Sequence, residues 1–153
     1  MRAIIIMPLL IACTPVLAQD PRLTGTVGYV EDGDTFAICS AHLCTKIRLC
    51  GMDAPERGQA GYQEAKAALD RLVGGKTVTC TQVGRGTPCD GRSSPTNRGR
   101  VVAQCFVEGD DLAQDMVDAG HACDWIKFSG GYYSLNGVGQ PCPEGHRERP
   151  RKR

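Results

Sequence analysis

The stretch from Asp32 to Glu56, DGDTFAICSAHLCTKIRLCGMDAPE, constrains this chain more than any other. Thr35 to Ile38 and Thr45 to Leu49 are short runs rich in β-branched and apolar residues, bounded by glycine, aspartate and serine, the pattern of paired strands. Ser40-Ala41-His42-Leu43 between them reads as a hairpin loop, and a cystine from Cys39 to Cys44 would close it. A hairpin brings Asp34, Arg48, Asp53 and Glu56 together. Two carboxylates converging with backbone oxygens suit a hard divalent cation. An arginine beside them, which stays charged, suits a phosphate oxygen. Together they point to metal-assisted attack on a phosphodiester.

Residues 1–18 read as an export signal: a positive Met1-Arg2 start, an apolar run, and Val16-Leu17-Ala18 as a small-residue cleavage site. A competing reading takes Leu10-Ile11-Ala12-Cys13 as a lipobox that would leave Cys13 lipidated, the only route by which this chain would meet a membrane. The run is too short to span a bilayer, which needs about 20 apolar residues. About 130 residues remain, enough for one domain with a modest core. Either cleavage leaves eight cysteines, 39, 44, 50, 80, 89, 105, 123 and 142. An even number in an exported chain reads as disulfides. Zinc is the weaker reading, since no CxxC pair occurs and His42, His121 and His146 are scattered. Eight cysteines allow on the order of a hundred connectivities; beside Cys39–Cys44, the expected pairs are Cys80–Cys89 and Cys105–Cys123.

Charge narrows the function. Setting aside Arg2 and the segment from His146 to Arg153, with its five basic residues and Glu148, leaves 12 basic against 16 acidic residues, a net −4. A broad basic face gripping many phosphates is not supported. A polyanion must be held locally, by a few arginines and a cation.

Thr26 to Val30, Lys76 to Gln82 and Arg100 to Val107 read as further strands. Tyr62 to Val73, with Ala65, Ala68, Leu69 and Leu72 at helical spacing and Gly74-Gly75 after it, reads as a helix. Asp110-Asp111 can cap a second helix carrying Leu112, Ala113, Met116 and Val117, stopped at Gly120. Val83 to Gly99 is a long loop rich in Gly, Pro, Ser and Asn, and His121 to Ile126 a short extended segment. Periodicity vanishes from Asn136 on, so 134–153 reads as a disordered basic tail after a domain spanning 24–133. Five short strands and two helices fit an α+β, mainly β class: a five-stranded barrel of the oligonucleotide/oligosaccharide-binding (OB) type, stapled by disulfides.

Asp32-Gly33-Asp34-Thr35, then Ile47-Arg48-Leu49 with Asp53-Ala54-Pro55-Glu56, then Gly99-Arg100-Val101-Val102-Ala103, resemble the staphylococcal nuclease (thermonuclease) family in order and spacing. Asp124-Trp125, Phe128-Ser129 and Tyr132 are similar to its segment after the second helix. The resemblance covers roughly Thr26 to Tyr133. It implies a calcium-dependent phosphodiesterase that cleaves DNA and RNA with little sequence preference and leaves the phosphate on the 3′ side. Carried over, Asp34 and Asp53 would ligate Ca2+ with the Ala54 carbonyl, Glu56 would act as general base on water, and Arg48 and Arg100 would hold the scissile phosphate. Tyr132 and Tyr133 could stack on a base, but packing is the favoured role. A monomer without an obligate protein partner is expected.

The chain departs from the family in two places. Thr96-Asn97-Arg98 stands where an aspartate and a tyrosine are usual, and the final amphipathic helix has no counterpart after Tyr133. Each residue also has a plain reading: Asp32 and Asp34 as turn formers, Arg48 as a partner of Glu56, Arg98 in place of Arg100, Trp125 as core, His121 as a surface group. Joint spacing favours the enzyme. The alternatives are a catalytically silent OB-type module that binds nucleic acid or protein, and a disulfide-stapled exported protein of structural or inhibitory role.

Overall fold

The computed structural model describes residues 22–40 and 43–146. The export signal, Cys13, His42 and the last seven residues lie outside them. The elements run β1 (Leu23–Asp32), β2 (Thr35–Ser40), β3 (Leu43–Leu49), β4 (Met52–Asp53), α1 (Tyr62–Val73), β5 (Thr77–Gln82), β6 (Thr96–Asn97), β7 (Arg100–Val107), β8 (Asp110–Asp111), α2 (Leu112–Asp118), β9 (Cys123–Asp124), α3 (Ile126–Ser129) and α4 (Tyr132–Asn136). The five longer strands pair in the order β3-β2-β1-β5-β7, and a parallel pairing of β3 with β7 closes them into a barrel. This is the OB-type barrel read from the sequence.

Alternation puts Phe36, Ile38, Ile47, Leu49, Val78 and Ala103 inside the barrel. α1 caps one end with Ala65, Ala68, Leu69 and Val73, and α2 adds Leu112, Met116 and Val117. Asp111 starts α2, accepting from the N–H groups of Ala113 (2.9 Å) and Gln114 (3.4 Å). Gly33, between β1 and β2, answers to a close approach. A Cβ there would stand 2.7 Å from the Cβ atoms of both Ala54 and Ala65. Glycine thus lets the turn carrying Asp34 press against the segment carrying Asp53.

Two expectations are corrected, the remaining cystine pairs and the tail. Cys39–Cys44 forms, but the other bonds are Cys50–Cys89, Cys80–Cys105 and Cys123–Cys142, not Cys80–Cys89 and Cys105–Cys123. The reason is register. Cys80 and Cys105 stand directly opposite on β5 and β7, while the loop after β5 folds back so that Cys89 reaches Cys50 at the end of β3. The two expected helices are joined by the short α3 and α4; no long amphipathic helix follows them among the described residues. The tail reading fails for 134–146, where α4 continues, Pro141 bridges to Asp124 and Cys142 is bonded to Cys123. Hydrogen bonds and a cystine order this segment, and neither leaves a hydrophobic period in the sequence.

Candidate active site

The site is built where β2, β3 and β4 converge. Asp32 and Thr35 face each other across the β1–β2 turn, and the Asp34 N–H is held by the Asp32 carboxylate at 3.1 Å. Thr35 pairs with Arg48 across β2–β3, and the Leu49 N–H donates to the Asp34 carbonyl at 2.9 Å. The backbone ladder alone therefore sets Arg48 beside Asp34. The chain then turns at Gly51, whose φ of 72° lies in the left-handed region and whose missing Cβ leaves room for Ser129, Cys89 and Tyr133. That turn returns Asp53 toward the same guanidinium.

Asp34 and Asp53 are 3 % and 2 % exposed. Arg48 lies between them, its Nη1 donating to Asp34 Oδ2 and its Nη2 to Asp53 Oδ1 (3.0 Å) and the Met52 carbonyl (3.1 Å). Burial pulls the guanidinium below its usual pKa, and Asp53 opposes that pull. Arg100 joins through Thr35: its Nη1 donates to the Thr35 hydroxyl at 3.0 Å, and that hydroxyl donates to Asp34 Oδ1 at 2.8 Å. Between the two arginines of the Arg98-Gly99-Arg100 run, Arg100 is the one tied to the site. Arg98 lies exposed in the β6–β7 turn. Ala54 is buried beside Asp53. Glu56 is half-buried in a turn closed by Gln59, whose side chain accepts from the Glu56 N–H at 2.7 Å.

Beside Arg48 opens a cavity of about 300 Å3, walled by Trp125 and Phe128, by Gly51, and by Ser93, Thr96 and Asn97 of the long loop. Trp125 is half-buried rather than core. Its backbone N–H donates to the Gly51 carbonyl at 2.8 Å, and its ring meets Phe128 edge-on with centroids 4.6 Å apart. Tyr132 starts α4, half-exposed, with its ring edge-on to Tyr133; the cavity takes its aromatic wall from Trp125 and Phe128 instead. On the other side of Asp53, the His146 Nε2 stands 2.6 Å from Asp53 Oδ2. No motif announced it. The one signal was Cys142, four residues earlier, whose pairing decides where His146 falls.

Asp34, Arg48, Asp53 and Arg100 stand together here, and comparison with known proteins decides the lineage. The profile of the family described as "Staphylococcal nuclease homologue" matches residues 46–132. The chain belongs to the staphylococcal nuclease family. A protein of Escherichia coli named "Uncharacterized endonuclease" is 35 % identical over 127 residues, 82 % of this chain and 74 % of the relative. One of the same name in Haemophilus influenzae is 28 % identical over 130 residues, 84 % of this chain and 67 % of the relative. The chain is thus a nuclease, a hydrolase of phosphodiester bonds, on a barrel carrying four disulfides. That many cystines fit a compartment outside the reducing cytoplasm.

Proposed function

We propose that this nuclease is exported through residues 1–18, acts as a monomer, and cuts DNA and RNA with low sequence preference using a divalent cation held by Asp34, Asp53 and the Ala54 carbonyl. The observation that carries the reading is the buried carboxylate pair bridged by Arg48. Both carboxylates are held out of water around the bridging guanidinium, and such a set of hard oxygens is one that a divalent cation fits. Calcium is the ion that the family resemblance implies for such an oxygen set. When bound, the cation would neutralise phosphate charge and polarise the phosphorus.

The chain supplies the rest. Arg100, anchored by Nη1 to Thr35 and by Nε to the Asn97 carbonyl (3.3 Å), still has N–H donors on its terminal nitrogens to offer a phosphate oxygen, and Arg48 adds fixed positive charge beside it. Glu56, three residues after Asp53, takes the proton of the attacking water. Tyr132 offers a half-exposed ring to a base, and Trp125 and Phe128 offer another surface nearer Arg48. With a net −4 on the chain apart from Arg2 and the segment 146–153, the substrate is gripped by these few groups rather than by a basic face.

The test is hydrolysis of single-stranded DNA by the oxidised protein with calcium and, separately, with manganese, then with excess chelator, beside Glu56→Gln. Activity that needs the cation and falls by about 100-fold or more in the variant is expected. No activity from protein shown by circular dichroism to be folded would overturn the enzyme reading and leave a binding module.

A further inference from the structure

His146 is 93 residues from Asp53 in the chain, yet its Nε2 lies against the Asp53 carboxylate. The contact is built into the fold. Cys123 stands opposite Asp53 in the β4–β9 pair, and Cys142 is bonded to it. The Cys142 N–H donates to the Asp124 carbonyl at 2.8 Å and the Asp124 N–H to the Gln140 carbonyl at 2.9 Å, so the chain beyond α4 is pinned along β9. A turn closed by the His146 N–H on the Pro143 carbonyl (3.0 Å) then points the imidazole inward, its ring edge-on to Trp125 at 5.6 Å. Cys123, Cys142 and His146 place their donor atoms within 4.8 Å of one another. The two sulfurs are joined, so the donor this cluster still offers a metal is the imidazole nitrogen.

On Asp53 the two carboxylate oxygens face different partners: Oδ1 takes Arg48, and Oδ2 takes His146. An imidazole nitrogen and a carboxylate oxygen 2.6 Å apart are close enough to serve as neighbouring ligands of one cation at Asp53. We propose that His146 is a protein ligand of the divalent cation bound at Asp53, so that the site takes a manganese-like cation in preference to calcium. The inference rests on the metal-dependent reading above and alters its ion. Calcium favours oxygen alone, whereas first-row divalent ions accept imidazole beside carboxylates and gain affinity from it.

The experiment uses the full-length oxidised protein loaded with Mn2+, followed by pulsed electron paramagnetic resonance and by calorimetric titration with Mn2+ and with Ca2+. Nitrogen-14 modulation of a coordinated imidazole is expected in the native protein and absent in His146→Gln. The same substitution should weaken Mn2+ at least about tenfold and Ca2+ by less than about threefold. A Mn2+ ion whose binding is abolished by Asp34→Asn yet shows no nitrogen coupling would overturn the role of His146 and leave the metal-dependent nuclease standing. Binding of neither ion would overturn both.

Discussion

Around Phe36, Ile47, Leu49 and Val78 the barrel hides side chains completely from water, whereas from Cys123 to His146 the chain is held mostly by polar groups and one cystine. Tyr133 is the large apolar side chain that this C-terminal strap buries. Its other anchor is Asp124, fully buried, which accepts from the Ser129 hydroxyl, the Ser134 N–H (2.8 Å) and the Ser134 hydroxyl (2.7 Å). Both regions meet at Asp53, one on each carboxylate oxygen. The difference teaches that Asp34, Arg48 and Arg100 owe their positions to hydrophobic packing and strand register, while His146 owes its position to a covalent tether. Breaking the strap should therefore leave the fold and alter one side of the site.

The largest effect is expected in the barrel. Phe36→Ala removes a fully buried ring and should lower global stability by about 3–5 kcal/mol, measured by urea unfolding. Cys123→Ser with Cys142→Ser opens a link across 19 residues and should cost about 3 kcal/mol. Here the loss falls on the strap: amide exchange should speed from Cys123 to His146 while strands β2, β3 and β7 keep their protection. Equal loss in both regions would erase the distinction. Asp124→Asn should cost about 1–3 kcal/mol, because an amide turns one acceptor into a donor facing the N–H and hydroxyl groups of Ser134 and Ser129. Exchange would again change in the strap first.

The two regions were unequally legible in the sequence. α1 was read at Tyr62 to Val73 because apolar spacing and a closing Gly74-Gly75 are local signals, and Asp111 announced α2 in the same way. The convergence of Asp34, Arg48 and Asp53 was legible because two adjacent strands and one turn produce it. Cys80–Cys105 was not, since it depends on β5 pairing with β7 across a loop whose length hides the register. His146 was hidden for the same reason twice over: its place follows from Cys142, and that partner from the pairing of β4 with β9. Hydrogen-bonded turns around a cystine leave no periodicity to read, so an ordered strap passed for a tail.

The loop from Val83 to Gly99 stands between these cases, clipped to the barrel by Cys50–Cys89 yet shaped by a surface carboxylate, and it yields the smallest predicted effect. Asp90 accepts from the Thr87 hydroxyl (2.6 Å) and from the N–H groups of Gly84 (2.6 Å) and Gly86 (2.8 Å). The hydroxyl first, then the two amides, favour its charged form and hold its pKa down to about 2 from 3.8. A depressed carboxylate stabilises the loop above the unfolded value and loses that contribution as pH falls through the folded one. The turn should therefore loosen between about pH 4 and pH 2, seen as faster exchange or shifted amide resonances at Gly84 and Gly86. Asp90→Asn should abolish that step while leaving the barrel's unfolding unchanged, since the cystine at Cys89 still fixes the loop to β3. If the native protein instead lost barrel signals in the same pH window, the loop would be part of the barrel's cooperative unit, and a covalent clip would not be enough to make a region independent of the core it touches.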